Sequence, residues 1–277
     1  MHPILFTLFG FQVHSFGVAM VAAFVLSVSL AQARAPKFGI TKAQMGDLAF
    51  WAILAGVFGA RFLFIVQEWG HFASHPRELF SLRFEGLTSF GGLIFGAIAA
   101  VVWAWRKRIP VRNLLDATAP AFLVGHLIGR VGCLMNGCCF GGACPNDLPW
   151  GIHVEGTSFL HHPAQIYDSL MNLAALGLVL LVERRAALKA GAVTGFVIAF
   201  HGLARFIYEF WRAGTEAQVN AGQASSTYWG TLPITQAQGM AAALILIGAG
   251  IVLFSKRRSP LPMPAPEETV PAAPSAA

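Results

Sequence analysis

Charge is what this sequence has least of. Asp, Glu, Lys and Arg make up 12% of its 277 residues, about half the share found in a soluble domain. A water-facing surface needs that missing charge, so a soluble globular protein is excluded. The 29 glycines follow no strict period and there is no polar bias, which excludes a collagen-like rod and a disordered chain. Met1-His2-Pro3 carries no cationic stretch, so no cleavable signal peptide is expected. No convincing internal repeat is found either. What is present is apolar: 56% hydrophobic residues, 23 of the 277 being Phe, and a mean hydropathy of +0.61. The chain reads as embedded in a membrane.

Seven apolar stretches, 16–33, 48–66, 88–105, 114–134, 165–182, 191–210 and 238–254, approach the length needed to cross a ~30 Å hydrocarbon core. Backbone groups cannot stay unpaired in lipid, and the stretches lack the alternation of barrel strands. The expected fold is therefore all-α, a polytopic bundle of seven transmembrane helices. Residues 1–258 make up that domain, and the Pro/Ala-rich segment 259–277, with Glu267 and Glu268, reads as a disordered cytoplasmic tail.

Lys and Arg set the orientation. Alternate loops and the C-terminus carry Arg34, Lys37 and Lys42; Arg106, Lys107, Arg108 and Arg112; Arg184, Arg185 and Lys189; and Lys256, Arg257 and Arg258. The other side has only Arg77, Arg83 and Arg212. The positive-inside rule then places the N-terminus outside and the C-terminus in the cytoplasm. The net charge of +6 reports this topology and contact with anionic lipid, and gives no reason to invoke nucleic acid.

Three arginines, Arg61, Arg130 and Arg205, fall inside predicted spans. A charge at that depth costs at least ~2.5 kcal/mol, so each needs a partner, a cavity or a function. Asp116, Asp168 and Glu209 are the acids in or near the spans. Glu209 lies four residues after Arg205, on the same helix face. In the expected topology all three arginines sit in the outer third of their helices. Guanidinium forks suit phosphate oxygens, and the predicted site is a cavity toward the outer leaflet for a phosphate-bearing lipid or other anion. His14, the Ser89–Leu93 run with Gly91 and Gly92, His162 with Gln165, and Gln236 with Gln238 open helices at the same level. His126 precedes Arg130 by four residues and His201 precedes Arg205 by four, so each pair shares a face. Gly92 with Gly96, Gly125 with Gly129 and Gly191 with Gly195 give small-xxx-small packing.

Cys133, Cys138, Cys139 and Cys144 cluster after the fourth stretch. Their spacing is wider than that of paired zinc ligands, and no His or acid completes a tetrahedral set, so no metal is expected. On the outer side a disulfide such as Cys139 with Cys144 is open. Two other functions use these features: an anionic-lipid transporter or flippase would use the arginines, and a membrane thiol oxidoreductase would use the four cysteines. The absent repeat argues against alternating access.

Arg130-Val-Gly-Cys133-Leu-Met-Asn136-Gly137-Cys138-Cys139-Phe140-Gly141 resembles the signature of the bacterial prolipoprotein diacylglyceryl transferases. Gly59-Ala-Arg61, Gly91-Gly92-Leu93, His162-Pro-Ala-Gln165-Ile-Tyr167 and Gly202-x-x-Arg205-Phe-x-x-Glu209-Phe-x-Arg212 agree with that family in order and spacing, from His14 to about Gln238. The resemblance implies a multi-pass enzyme of the bacterial plasma (inner) membrane, open toward the periplasmic side. It would move the diacylglyceryl group of phosphatidylglycerol to the lipobox cysteine thiol of a prolipoprotein, forming a thioether and releasing glycerol phosphate, the first step of lipoprotein maturation. No metal or organic cofactor is expected.

Charge builds on the departing phosphate, which assigns Arg130 and Arg205 as its stabilisers, with Arg61 and Arg212 flanking. The matching positions Asn136, Gly137, Gly91, Gly92, His14, Gln165 and Glu209 are expected to bind substrate, Asn136 and Glu209 by holding headgroup hydroxyls or orienting arginines. Many members of the family have His where this chain has Phe90, and phenylalanine takes no proton. His201 is then the best-placed base for the peptide thiol, with His14 and His162 behind it, unless the arginine field alone favours the thiolate. Asp168 stands where the family commonly has Glu.

Overall fold

The computed structural model describes residues 3–8, 11–75, 88–154, 157–213, 228–229 and 234–255. Arg77, Arg83, the basic run Lys256, Arg257 and Arg258, most of the polar segments 67–86 and 213–235, and the tail 259–277 lie outside them. Among the described residues two hairpins and eight α-helices follow in order. Strands β1 (Ile4–Leu8) and β2 (Phe11–His14) pair antiparallel. Then come α1 (Ser15–Arg34), α2 (Lys42–Gln67), a short α3 (Trp69–Ser74), α4 (Ser89–Arg106) and α5 (Val111–Asn136). Strands β3 (Ile152–His153) and β4 (Leu160–His161) precede α6 (Ala164–Arg185), α7 (Ala192–Ala213) and α8 (Gln236–Leu253).

The described residues are mostly helical, as expected, and the two short hairpins are additions that the expectation lacked. Ile4–Leu8 and Phe11–His14 are too short for period 2 to stand out from period 3.6. His14 ends β2, and the first helix starts one residue later at Ser15, whose amide and hydroxyl both donate to the Pro3 carbonyl.

All seven expected stretches are helical. Six of them, α1, α2, α5, α6, α7 and α8, are long and apolar enough to cross a membrane. The apolar part of α4, Phe90–Arg106, is shorter. At 1.5 Å per residue it rises about 26 Å, just under the ~30 Å core. Large apolar side chains such as Val21, Phe58, Leu170 and Leu246 point outward, as lipid requires. The chain is a multi-pass membrane protein.

Contacts divide it into two units. One takes in Gln32–Leu114. In it α2 and α4 meet at glycines: a Cβ on Gly91 would lie 2.2 Å from the Gly59 carbonyl oxygen, and one on Gly56 would lie 3.3 Å from that of Gly92. Thr41 and Gln44 form a reciprocal capping box at the start of α2. Asp47 accepts from the indoles of Trp51 and Trp103.

The other unit takes in Met1–Ala31 and Leu115–Arg258. Leu123, Ala175, Val179, Val193 and Val197 form its apolar core between α5, α6 and α7. Buried Asp116 on α5 accepts from the amides of Gly191 and Thr194 and from the Thr194 hydroxyl, fixing the start of α7. α8 packs on α7 through Gly248, where a Cβ would come within 2.5 Å of the Ala199 amide nitrogen. Its own start is a second capping box, Thr235 with Gln238.

Candidate active site

Polar residues in three of these helices follow the helical period. On α6 they are Gln165, Asp168, Ser169 and Asn172, spaced three and four apart and all buried. On α7 they are His201, Arg205, Tyr208, Glu209 and Arg212, and on α5 His126, Arg130 and Cys133. Lipid cannot satisfy such stripes, so each faces protein.

The stripes converge on two carboxylates, both with fully buried side chains. Asp168 is the partner of Arg130. Its Oδ2 accepts from Arg130 Nε at 2.6 Å and from His126 Nε2 at 3.0 Å, and its Oδ1 accepts from Asn172 Nδ2 at 2.6 Å. Three donors make the burial of this anion tolerable. Glu209 accepts from Arg205 on the same face, as the four-residue spacing predicts, and lies 3.6 Å from Arg212 Nη1. The Thr235 hydroxyl reaches its second oxygen at 3.3 Å.

Arg130 and Arg205 share a third neighbour. Their guanidinium carbons lie 5.8 Å and 4.6 Å from the centroid of the Tyr208 ring, within cation–π range. Tyr208 is buried, and its hydroxyl accepts from Arg130 Nη2 at 2.9 Å. Each of the three arginine side chains keeps about a fifth of its surface exposed (19%, 21% and 22%) while the carboxylates keep none. Among the described residues, three guanidiniums thus face two carboxylates, leaving one cation in excess. Arg212 Nε is buried with no hydrogen-bond partner among the described residues. Such an arrangement offers donors and charge to an anion.

The histidines are oriented by this network. Both Asn172 Nδ2 bonds go to Asp168, so Asn172 Oδ1 faces His201 Nδ1 at 2.6 Å. His201 therefore donates from Nδ1 and keeps a lone pair on Nε2. Its ring lies edge-on to that of His126, with centroids 4.8 Å apart.

The end of α5 closes in a Schellman arrangement. Gly137 takes φ 79°, the Cys138 amide donates to the Cys133 carbonyl and the Gly137 amide donates to that of Leu134. Gln165 Nε2 donates to the Cys138 carbonyl at 2.5 Å. Beyond it, the Gly141 and Gly142 amides donate to the His162 and Trp211 carbonyls, tying the segment to β4 and the end of α7. The four cysteines are free thiols, and no Cys139–Cys144 disulfide forms. Burial raises the Cys138 and Cys144 thiols above their ordinary range. A hydrogen bond from Cys133 pulls the Cys139 thiol down, helped by Cys138 and the two nearby arginines. Desolvation holds the His162 imidazole below its usual value.

The structure thus brings together Arg130, Arg205, Arg212, Glu209 and His201, with Gln165, Asn136 and Gly137 around the adjoining turn. Among the described residues no hydrogen bond or ring contact joins His14 to this cluster; it is exposed at the end of β2. Arg61, Gly91 and Gly92 belong to the other unit. There the Arg61 guanidinium lies over Phe64 and Phe72, and the glycines form the α2–α4 contact. Tyr208 and Asn172 were not singled out by the sequence reading. Their signal was the i, i+3, i+4, i+7 polar stripe within an apolar helix.

A family model described as prolipoprotein diacylglyceryl transferase matches residues 3–254. A relative from Clostridium tetani, named phosphatidylglycerol–prolipoprotein diacylglyceryl transferase, is 30% identical over 225 residues, covering 79% of this chain and 89% of that protein. Relatives of the same name from Streptococcus agalactiae and Synechocystis are 27% and 28% identical, covering 92% and 94% of this chain and 96% and 92% of their own lengths.

Proposed function

The chain belongs to the prolipoprotein diacylglyceryl transferase family, and on that premise we propose that it transfers the diacylglyceryl group of phosphatidylglycerol to the lipobox cysteine of prolipoproteins, with Arg130 and Arg205 gripping the phosphate. The peptide thiolate attacks the lipid glycerol carbon, the carbon–oxygen bond to phosphate breaks, and glycerol phosphate leaves with the electron pair. The observation carrying this reading is the pair of guanidiniums around Tyr208, backed by buried carboxylates and, among the described residues, one cation in excess. The phosphodiester carries one negative charge and the leaving phosphate gains another, so fixed cations there favour the transition state over the ground state.

His201 is the base. Asn172 fixes its tautomer and leaves Nε2 free to take the thiol proton. Arg212, whose Nε has no hydrogen-bond partner among the described residues, and Asn136 hold the headgroup. Glu209 orients Arg205, while Gln165 and Gly137 shape the turn beside it. Arg61, Gly91, Gly92 and His14 keep their substrate roles on the strength of the motif match, and Arg61→Ala tests the first of them kinetically. Seven helices span the bacterial inner membrane, α4 included, with the N-terminus outside, the C-terminus in the cytoplasm and the site open to the outer leaflet. Residues 1–258 form the catalytic domain, and 259–277 a cytoplasmic tail.

Proteoliposomes containing phosphatidylglycerol and a lipobox peptide test the reaction. The expected products are a peptide heavier by one diacylglyceryl group on its cysteine and an equal amount of glycerol phosphate. Lipid crossing the bilayer with no peptide product would replace this reading with a carrier.

A further inference from the structure

We propose that Cys133, Cys138 and Cys139 form a binding site for a soft, thiophilic cation, Cu(I) or Zn(II), held by three thiolates at the end of α5. The backbone builds the site. The Schellman closure at Gly137 folds the residue after the glycine back over the third residue from the helix end, which sets Cys138 against Cys133. Cys139 then takes φ 65°, a conformation side-chain-bearing residues avoid and one that, when held, marks functional sites. Its sulfur lies 3.3 Å from that of Cys138.

As a result the three Sγ atoms all lie within 4.8 Å of one another. Sulfurs bound to one ion at about 2.3 Å stand roughly 4 Å apart, so a small closing movement completes the set. Gln165 anchors the Cys138 carbonyl from α6. An all-sulfur set selects Cu(I) or Zn(II) over Mg(II) and Ca(II). Binding is a proton-for-metal exchange: the thiols release their protons, the sulfurs take the ion, and nothing is oxidised or reduced. The site is independent of the transferase reading.

Full-length protein in detergent, reduced and free of oxygen, is titrated with Zn(II) in one arm and Cu(I) in the other, each against a competing chromophoric chelator. The expected result is one ion per chain, with the tighter arm identifying the metal. Cys133→Ser, Cys138→Ser and Cys139→Ser should each weaken binding at least about tenfold, and Cys144→Ser should leave it unchanged. In the unaltered protein the bound ion should also protect Cys138 and Cys139 from maleimide, read by mass mapping. Absence of one-per-chain binding in both arms, wild-type affinity in Cys138→Ser and Cys139→Ser, or full labelling of both cysteines with ion present would overturn the proposal.

Discussion

At the scale of single residues, the site depends on which atom of each side chain is already engaged. Arg130 uses Nε for Asp168 and Nη2 for the Tyr208 hydroxyl, so its orientation relies on both. Tyr208→Phe removes one acceptor from a charged donor, a loss of about 1.5 kcal/mol, and should slow transfer about tenfold at saturating lipid. His201→Phe should slow it further, by ~100-fold or more; a rate within a few-fold of the unaltered protein would remove His201 as the base. With His201 in place, Phe90→His should change the rate little, whereas a large rise would show that proton removal limits turnover. The partnership of Arg205 with Glu209 was legible in the sequence because both sit on one helix face. Arg130 with Asp168 was not, because the two are 38 positions apart and only the packing of α5 on α6 joins them. The cysteine trio was hidden for a different reason. Its four-residue gap looks too wide for shared ligands until the helix ends and the chain turns back.

At the scale of elements, caps and glycines position the site. Thr235 starts α8 and touches Glu209, so Thr235→Ala should lower stability by about 1 kcal/mol, the usual cost of a lost cap, and slow transfer as Glu209 loosens. A thermal melt in detergent beside the transfer assay separates the two effects. Gly248→Val would drive a side chain into the α7 backbone and should cost about 1–3 kcal/mol through overpacking, with a lower melting midpoint. The seven helices were legible as apolar runs, and their bounds fall within a few residues of those expected except at the start of α2. The two hairpins were not, since strands of 5, 4, 2 and 2 residues leave no periodicity to read.

For the whole molecule, the scarcity of charge and the outward-facing apolar side chains follow from the same solvent, lipid, and Arg130, Arg205, Arg212, Asp168 and Glu209 are gathered around Tyr208. The central claim is that these guanidiniums stabilise the departing phosphate of phosphatidylglycerol. The most direct measurement is the rate of thioether formation on a lipobox peptide by Arg130→Ala and Arg205→Ala, compared with the unaltered protein at equal amounts of folded enzyme. Each variant should fall at least ~100-fold, the scale for losing one preorganised charge stabiliser. A rate within a few-fold of the unaltered protein for either variant would contradict the account.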